Sequence, residues 1–118
     1  MGNPVVYFEI GGRDIQKLRG FYTDLFGWKI QDGKDSGDHL GVDTGGEGGI
    51  SGGIHGKLPD GVNNWVTFYV QVEDLQEYLS KVEKLGGRTI VPPTPIPGTG
   101  SFAIFSDIQG NCIGLYKP

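Results

Sequence analysis

The stretch Trp65-Val66-Thr67-Phe68-Tyr69-Val70-Gln71-Val72, followed by Glu73-Asp74 and then by Leu75, Tyr78, Leu79, Val82 and Leu85 before Gly86-Gly87, decides the fold. The first eight residues are a run of aromatic and β-branched residues broken by Gln71, which predicts a strand. The spacing i, i+3, i+4, i+7 that follows predicts an amphipathic helix. Gly86-Gly87 predicts its end, because glycine takes the left-handed C-terminal conformation without a Cβ clash. The same pattern stands sixty residues earlier. Val66, Phe68 and Val70 fall on Val6, Phe8 and Ile10; Asp74 falls on Asp14, Leu85 on Leu25, Gly87 on Gly27 and Ile90 on Ile30. The chain is therefore read as a duplicated strand–helix unit.

Working outward, residues 5–10 form the first strand. Period 2 puts Val5, Tyr7 and Glu9 on one face and the apolar Val6, Phe8 and Ile10 on the other, which should meet the helices. Asp14 caps a first helix whose expected buried stripe is Ile15, Leu18, Phe21, Tyr22, Leu25 and Phe26. Trp28-Lys29-Ile30-Gln31 begins a second strand, 32–38 is a polar loop, and His39–Asp43 is a short strand. The glycine-dense stretch 44–56 contains one more strand around 49–55, where glycines mark a bend, a bulge or a close approach of backbone to a ligand. Residues 57–64, with Pro59 and Asp60-Gly61, form a linker. After the second helix come a strand at 88–91 and an extended, irregular proline loop at 92–98. A hairpin then joins 101–106 to 111–117 across Asp107-Ile108-Gln109-Gly110. The expected fold is α+β: two βαβββ modules, about 4–56 and 65–118, forming a curved mixed sheet with a cleft suited to a small molecule.

Charge and composition narrow the partners. A net charge of −4, with Lys and Arg scattered, gives no footprint for nucleic acid or an anionic membrane. No apolar run approaches the roughly 20 residues of a transmembrane helix. The single cysteine, Cys112, excludes an internal disulfide framework and fits a reducing, cytoplasmic setting. The N-terminal residues lead straight into a strand, and no signal peptide is expected. Residues 51–58 fail as a phosphate loop, since the Walker motif would need glycine at Ser51 and Ser or Thr at Leu58.

Several pieces together resemble the glyoxalase / bleomycin-resistance / dioxygenase superfamily, also called vicinal oxygen chelate proteins. They are Val6-Tyr7-Phe8-Glu9-Ile10 before Asp14, Phe21-Tyr22-Thr23-Asp24-Leu25-Phe26-Gly27-Trp28, Gly86-Gly87, and Asp107-Ile108-Gln109-Gly110-Asn111. The resemblance implies the duplicated fold and a homodimer. It also implies where a divalent metal would sit in enzymes of the family, on His and Glu in the first and last strands of each module. Carried over, these positions are Tyr7, Ile54, Thr67 and Gly114, which are not divalent-metal ligands. A one-residue slip of the glycine-rich strand would instead present His55, the one metal candidate.

What remains points to organic chemistry. Tyr7 and Glu9 are the catalytic candidates, Glu9 as base or acceptor and Tyr7 as donor. Tyr7, Glu9, Ile54, Trp65, Thr67, Tyr69, Gly114 and Tyr116 are expected to line a ligand face, while His39 and His55 are expected to be exposed polar residues. The expectation is a binding protein for a small organic molecule with no cofactor. The alternative is an enzyme of lyase, isomerase or dioxygenase type with a metal-free site or a non-standard divalent metal. A third reading is an interaction module whose open sheet face is covered by a second copy.

Overall fold

The computed structural model describes residues 2–33 and 37–118. Residues 34–36, which fall within the polar loop expected over 32–38, lie outside the described residues. The elements follow in the order β1 (Val5–Gly12), α1 (Ile15–Phe26), β2 (Lys29–Asp32), β3 (His39–Asp43), β4 (Gly52–His55), β5 (Asn64–Gln71), α2 (Leu75–Lys84), β6 (Arg88–Pro95), β7 (Ser101–Ser106) and β8 (Cys112–Lys117). This is an α+β fold in which a βαβββ unit occurs twice. The chain divides into two compact halves, Tyr7–Val66 and Thr67–Pro118 with Met1–Val6.

In the first half the strand order is β2-β3-β4-β1, and in the second it is β5-β8-β7-β6. Each half is mixed for the same reason. The strand that opens it lies parallel to the strand that closes it, β1 to β4 and β5 to β8. The other neighbours are antiparallel. A parallel neighbour needs a long crossover, and the helix with two further strands supplies it.

Local chemistry sets the helix ends. Asp14 accepts from the Lys17 amide at 3.1 Å and Asp74 from the Glu77 amide at 3.0 Å, satisfying a free N–H in each first turn. Gly27 ends α1 at φ 70°, with its amide on the Thr23 carbonyl. Gly86 takes φ 99°, and the Gly87 amide turns back onto the Val82 carbonyl.

The core of the first half is Ile15, Ile30, Leu40, Val42 and Ile54, with Phe8, Ile10, Leu18, Tyr22 and Trp28 against it. The core of the second is Val72, Leu75, Leu79, Ala103 and Leu115, with Val70, Tyr78 and Phe105. Three expectations are corrected here. The buried stripe of α1 is narrower than its periodicity suggests: Ile15, Leu18 and Tyr22 pack on the sheet, while Phe21, Leu25 and Phe26 are more than half exposed. Ile15, Leu18 and Tyr22 complete the core with Ile30, Leu40, Val42 and Ile54, and the rest of the stripe stays in solvent. Leu85 is likewise exposed, at the C-cap of α2. Finally, Pro92, Pro93 and Pro95 belong to β6 and not to an irregular loop. Among the described residues β6 ends the strand order of its half and pairs with β7 only, with register shifts between Thr89 and Val91 and between Val91 and Thr94. An end strand with bulges tolerates residues that lack an N–H.

Candidate functional site

Register places the site residues. Glu9 pairs with Gly53 and Gly11 with His55 across the parallel β1–β4 ladder. His39 pairs with His55, and Gly41 with Gly53, across β3–β4. Paired residues project on one face, so Tyr7, Glu9, Gly53, His55 and His39 share the face opposite the α1 core. Ile54, expected to line the ligand face, is instead 0% exposed in that core. In the second half Tyr69 pairs with Gly114. Glu9 and Tyr69 are sixty residues apart, but Gly53 and Gly114 are sixty-one apart. The counterpart of Gly114 is therefore Gly53, and the one-residue slip turns His55 onto the face with Glu9.

Three side chains meet there. Trp65 Nε1 donates to Glu9 Oε1 at 2.9 Å. His55 Nε2 lies 3.4 Å from the same oxygen, with side chains only 19% and 14% exposed for His55 and Glu9. Among the described residues, His55 Nε2 is nevertheless buried without a partner in hydrogen-bonding geometry. Gly11 makes this packing possible, since a Cβ there would stand 2.8 Å from Trp65 Cβ and 2.9 Å from Leu58 Cδ2. One step along β1, the Tyr7 ring lies over Gly53, where a Cβ would overlap its hydroxyl. The Tyr7 hydroxyl thereby reaches His39 Nε2 at 3.4 Å. His39 and His55 are thus half-buried on the site face, not exposed polar residues.

Burial pushes the Tyr7 phenol from its ordinary 10 up to about 12, and the Glu9 carboxylate adds to the rise. Tyr7 is a neutral hydroxyl at any working pH. Above pH 10 the unfolded chain ionises this group while the folded chain keeps the proton until about 12, so its contribution to stability is lost as pH rises through that window. Tyrosinate absorbance should show a late ionisation near pH 12 that is missing in Tyr7→Phe. A Tyr7→Phe protein with an unchanged titration would refute the assignment.

The second-half candidates are engaged by their own half. Thr67 is buried and its hydroxyl donates to the Cys112 carbonyl at 2.7 Å. The Tyr69 ring covers Gly114, where a Cβ would overlap it, and stands edge-on to Phe102 at 6.4 Å. The Tyr116 hydroxyl donates to the Thr99 carbonyl at 2.8 Å.

The metal that the resemblance implies does not fit this donor set. The positions it implies hold Tyr7 and Gly53 in one half and Thr67 and Gly114 in the other, and in each half an aromatic ring occupies the space a carboxylate at the glycine would need. Among the described residues no three His, Cys, Asp or Glu side chains gather to hold an ion.

Sequence reasoning missed His39 and Gly53. The signal for His39 was its phase with Gly41 and Asp43 on β3, which acquires meaning only when the β3–β4 register is known.

Comparison with known proteins follows the same lines. Residues 5–115 match the family model of the Glyoxalase/Bleomycin resistance protein/Dioxygenase superfamily. CFP32 of Mycobacterium bovis, named as a glyoxylase, is 32% identical over 73 residues, which are 62% of this chain and 28% of that protein. The chain thus spans under a third of that relative's length. A glyoxylase-like domain-containing protein of Didymella fabae is 29% identical over 108 residues, covering 87% of this chain and 84% of that one. Among solved structures, protein BH1468 of Bacillus halodurans C-125 shares the fold with a TM-score of 0.72 at 14% identity, over 100% of this chain and 96% of that one.

Proposed function

Because this chain belongs to the glyoxalase/bleomycin resistance protein/dioxygenase superfamily, we propose that it binds a small organic molecule against the strand face of Tyr7, Glu9 and His55, without the family's usual metal. The observation that carries this reading is His55 Nε2, buried beside Glu9 and without a hydrogen-bond partner. Polar groups at such a position cost free energy unless something completes them. A ligand with complementary polar atoms would do so, and Trp65 supplies an aromatic surface next to it.

The test is a screen of small aromatic molecules followed by chemical shifts of the face residues, in the wild type, Glu9→Gln and Tyr7→Phe. Losing a hydrogen bond to a charged group should weaken a true ligand by about tenfold or more in Glu9→Gln. Affinity unchanged in both variants would sink the reading. Elemental analysis addresses the metal: one equivalent of transition metal, lost in His55→Ala, would overturn the metal-free part.

A second reading uses the same residues. A hydroxyl held neutral two residues from a carboxylate can hydrogen-bond a substrate oxygen while the carboxylate takes a proton from the adjacent carbon and later returns it. Solvent deuterium entering a bound carbon acid, and ceasing in Glu9→Gln, would favour this isomerase-like chemistry over binding alone.

A further inference from the structure

We infer that His39 is a positioning residue whose Nε2 accepts the hydrogen bond of the Tyr7 hydroxyl, so that this face receives ligands through their hydrogen-bond donors. The inference deepens the binding reading above and rests on it, and it excludes the isomerase-like reading, which needs the Tyr7 hydroxyl as a donor to substrate.

The argument starts at Gly53. Because this position carries no side chain, the Tyr7 ring lies across β4 and its hydroxyl meets an imidazole from the strand beyond. The contact is long, at 3.4 Å, but it joins a phenol to a ring nitrogen, and its direction matters. A neutral imidazole has one N–H and one bare nitrogen. Phenol is a better donor than imidazole N–H, and a bare imidazole nitrogen is a better acceptor than phenol oxygen. The stronger arrangement is Tyr7 O–H donating to His39 Nε2, with the ring proton on Nδ1. Burial keeps Tyr7 protonated, so there is a proton to give.

The consequence falls on the ligand. A phenol whose proton is committed offers lone pairs only. Glu9, two residues along the same strand face, is an acceptor and takes the Trp65 N–H in that role. Two acceptors side by side select a ligand edge that carries O–H or N–H groups, such as a phenol, an amide N–H or an amine. An ether or a tertiary amide offers nothing to either.

The experiment has a ligand-free arm and a matched pair of probes. Protein labelled with nitrogen-15 at histidine is examined near pH 8, where imidazole is neutral. His39 is expected to carry its proton on Nδ1 and to become a tautomer mixture in Tyr7→Phe. Phenol and anisole are then titrated separately. Phenol should bind about tenfold more tightly than anisole, and the ratio should shrink several-fold in His39→Ala, where Tyr7 can donate to the ether oxygen. A purely structural His39 would lower both affinities and leave the ratio alone. His39 protonated on Nε2 overturns the assignment whether or not a probe binds. The expected tautomer with neither probe shifting the face residues would instead overturn the binding reading, and the ligand class with it.

Discussion

Ile54→Ala is expected to destabilise the chain by about 3 kcal/mol, whereas His55→Ala, one residue on, costs little. Ile54 is fully buried, and Ile15, Ile30, Leu40 and Val42 surround it from α1, β2 and β3. Truncating a side chain in such a place removes its transfer free energy and leaves a cavity, a loss of roughly 2–5 kcal/mol in well-packed cores. For a chain of this size that corresponds to a fall in melting temperature of roughly 10 °C. His55 projects to the other face and is not part of the apolar cluster around Ile54, so truncating it leaves that core intact. Thermal unfolding of the two variants reads the register of β4 directly. If His55→Ala unfolded the protein and Ile54→Ala did not, the strand would be turned over, and the site with it.

The same residue shows where sequence reading stops. The strand–helix repeat was legible because it is written in two periods: alternation in 65–72 and the 3.6-residue stripe from Leu75 to Val82. Tyr7 and Glu9 were legible by alternation alone. β4 was not, because Gly52-Gly53 present no side chains to alternate and a sixty-residue offset is only as good as the loops between the repeats. One extra residue in the second module before β8 changes which side chain shares the face of Glu9. The partner of Tyr7 was illegible for a different reason. His39 reaches it over a glycine from a third strand, and no local pattern announces a contact between residues thirty-two apart. The prolines of β6 misled in the opposite direction. A missing N–H forbids a central strand but not one at the end of the order, and position within a sheet is a tertiary fact.

Gly114→Glu, which puts back the residue that enzymes of the family usually carry, is expected to cost on the order of 3 kcal/mol and to bring no metal. The Tyr69 ring lies across the backbone at Gly114 and is itself nearly buried, edge-on to Phe102. A side chain at 114 must displace that ring, and overpacking of this kind costs about 1–3 kcal/mol before the charge is considered. The carboxylate then needs a partner, while the neighbouring Thr67 hydroxyl is already committed to the Cys112 carbonyl. Gly114→Ala separates the two contributions, because it adds the steric conflict without the charge. The double substitution Gly114→Glu with Tyr69→Ala separates site from scaffold by giving the carboxylate room. If the single variant were as stable as the wild type and bound zinc stoichiometrically in a calorimeter, the aromatic ring would not be what occupies the family's metal position. The metal-free reading would then rest on one missing carboxylate alone. If the single variant is destabilised and the double variant recovers stability but still binds no zinc, the position has been given over to packing. Tyr69, which fills it, would then be the residue that separates this chain from the metal-dependent pattern.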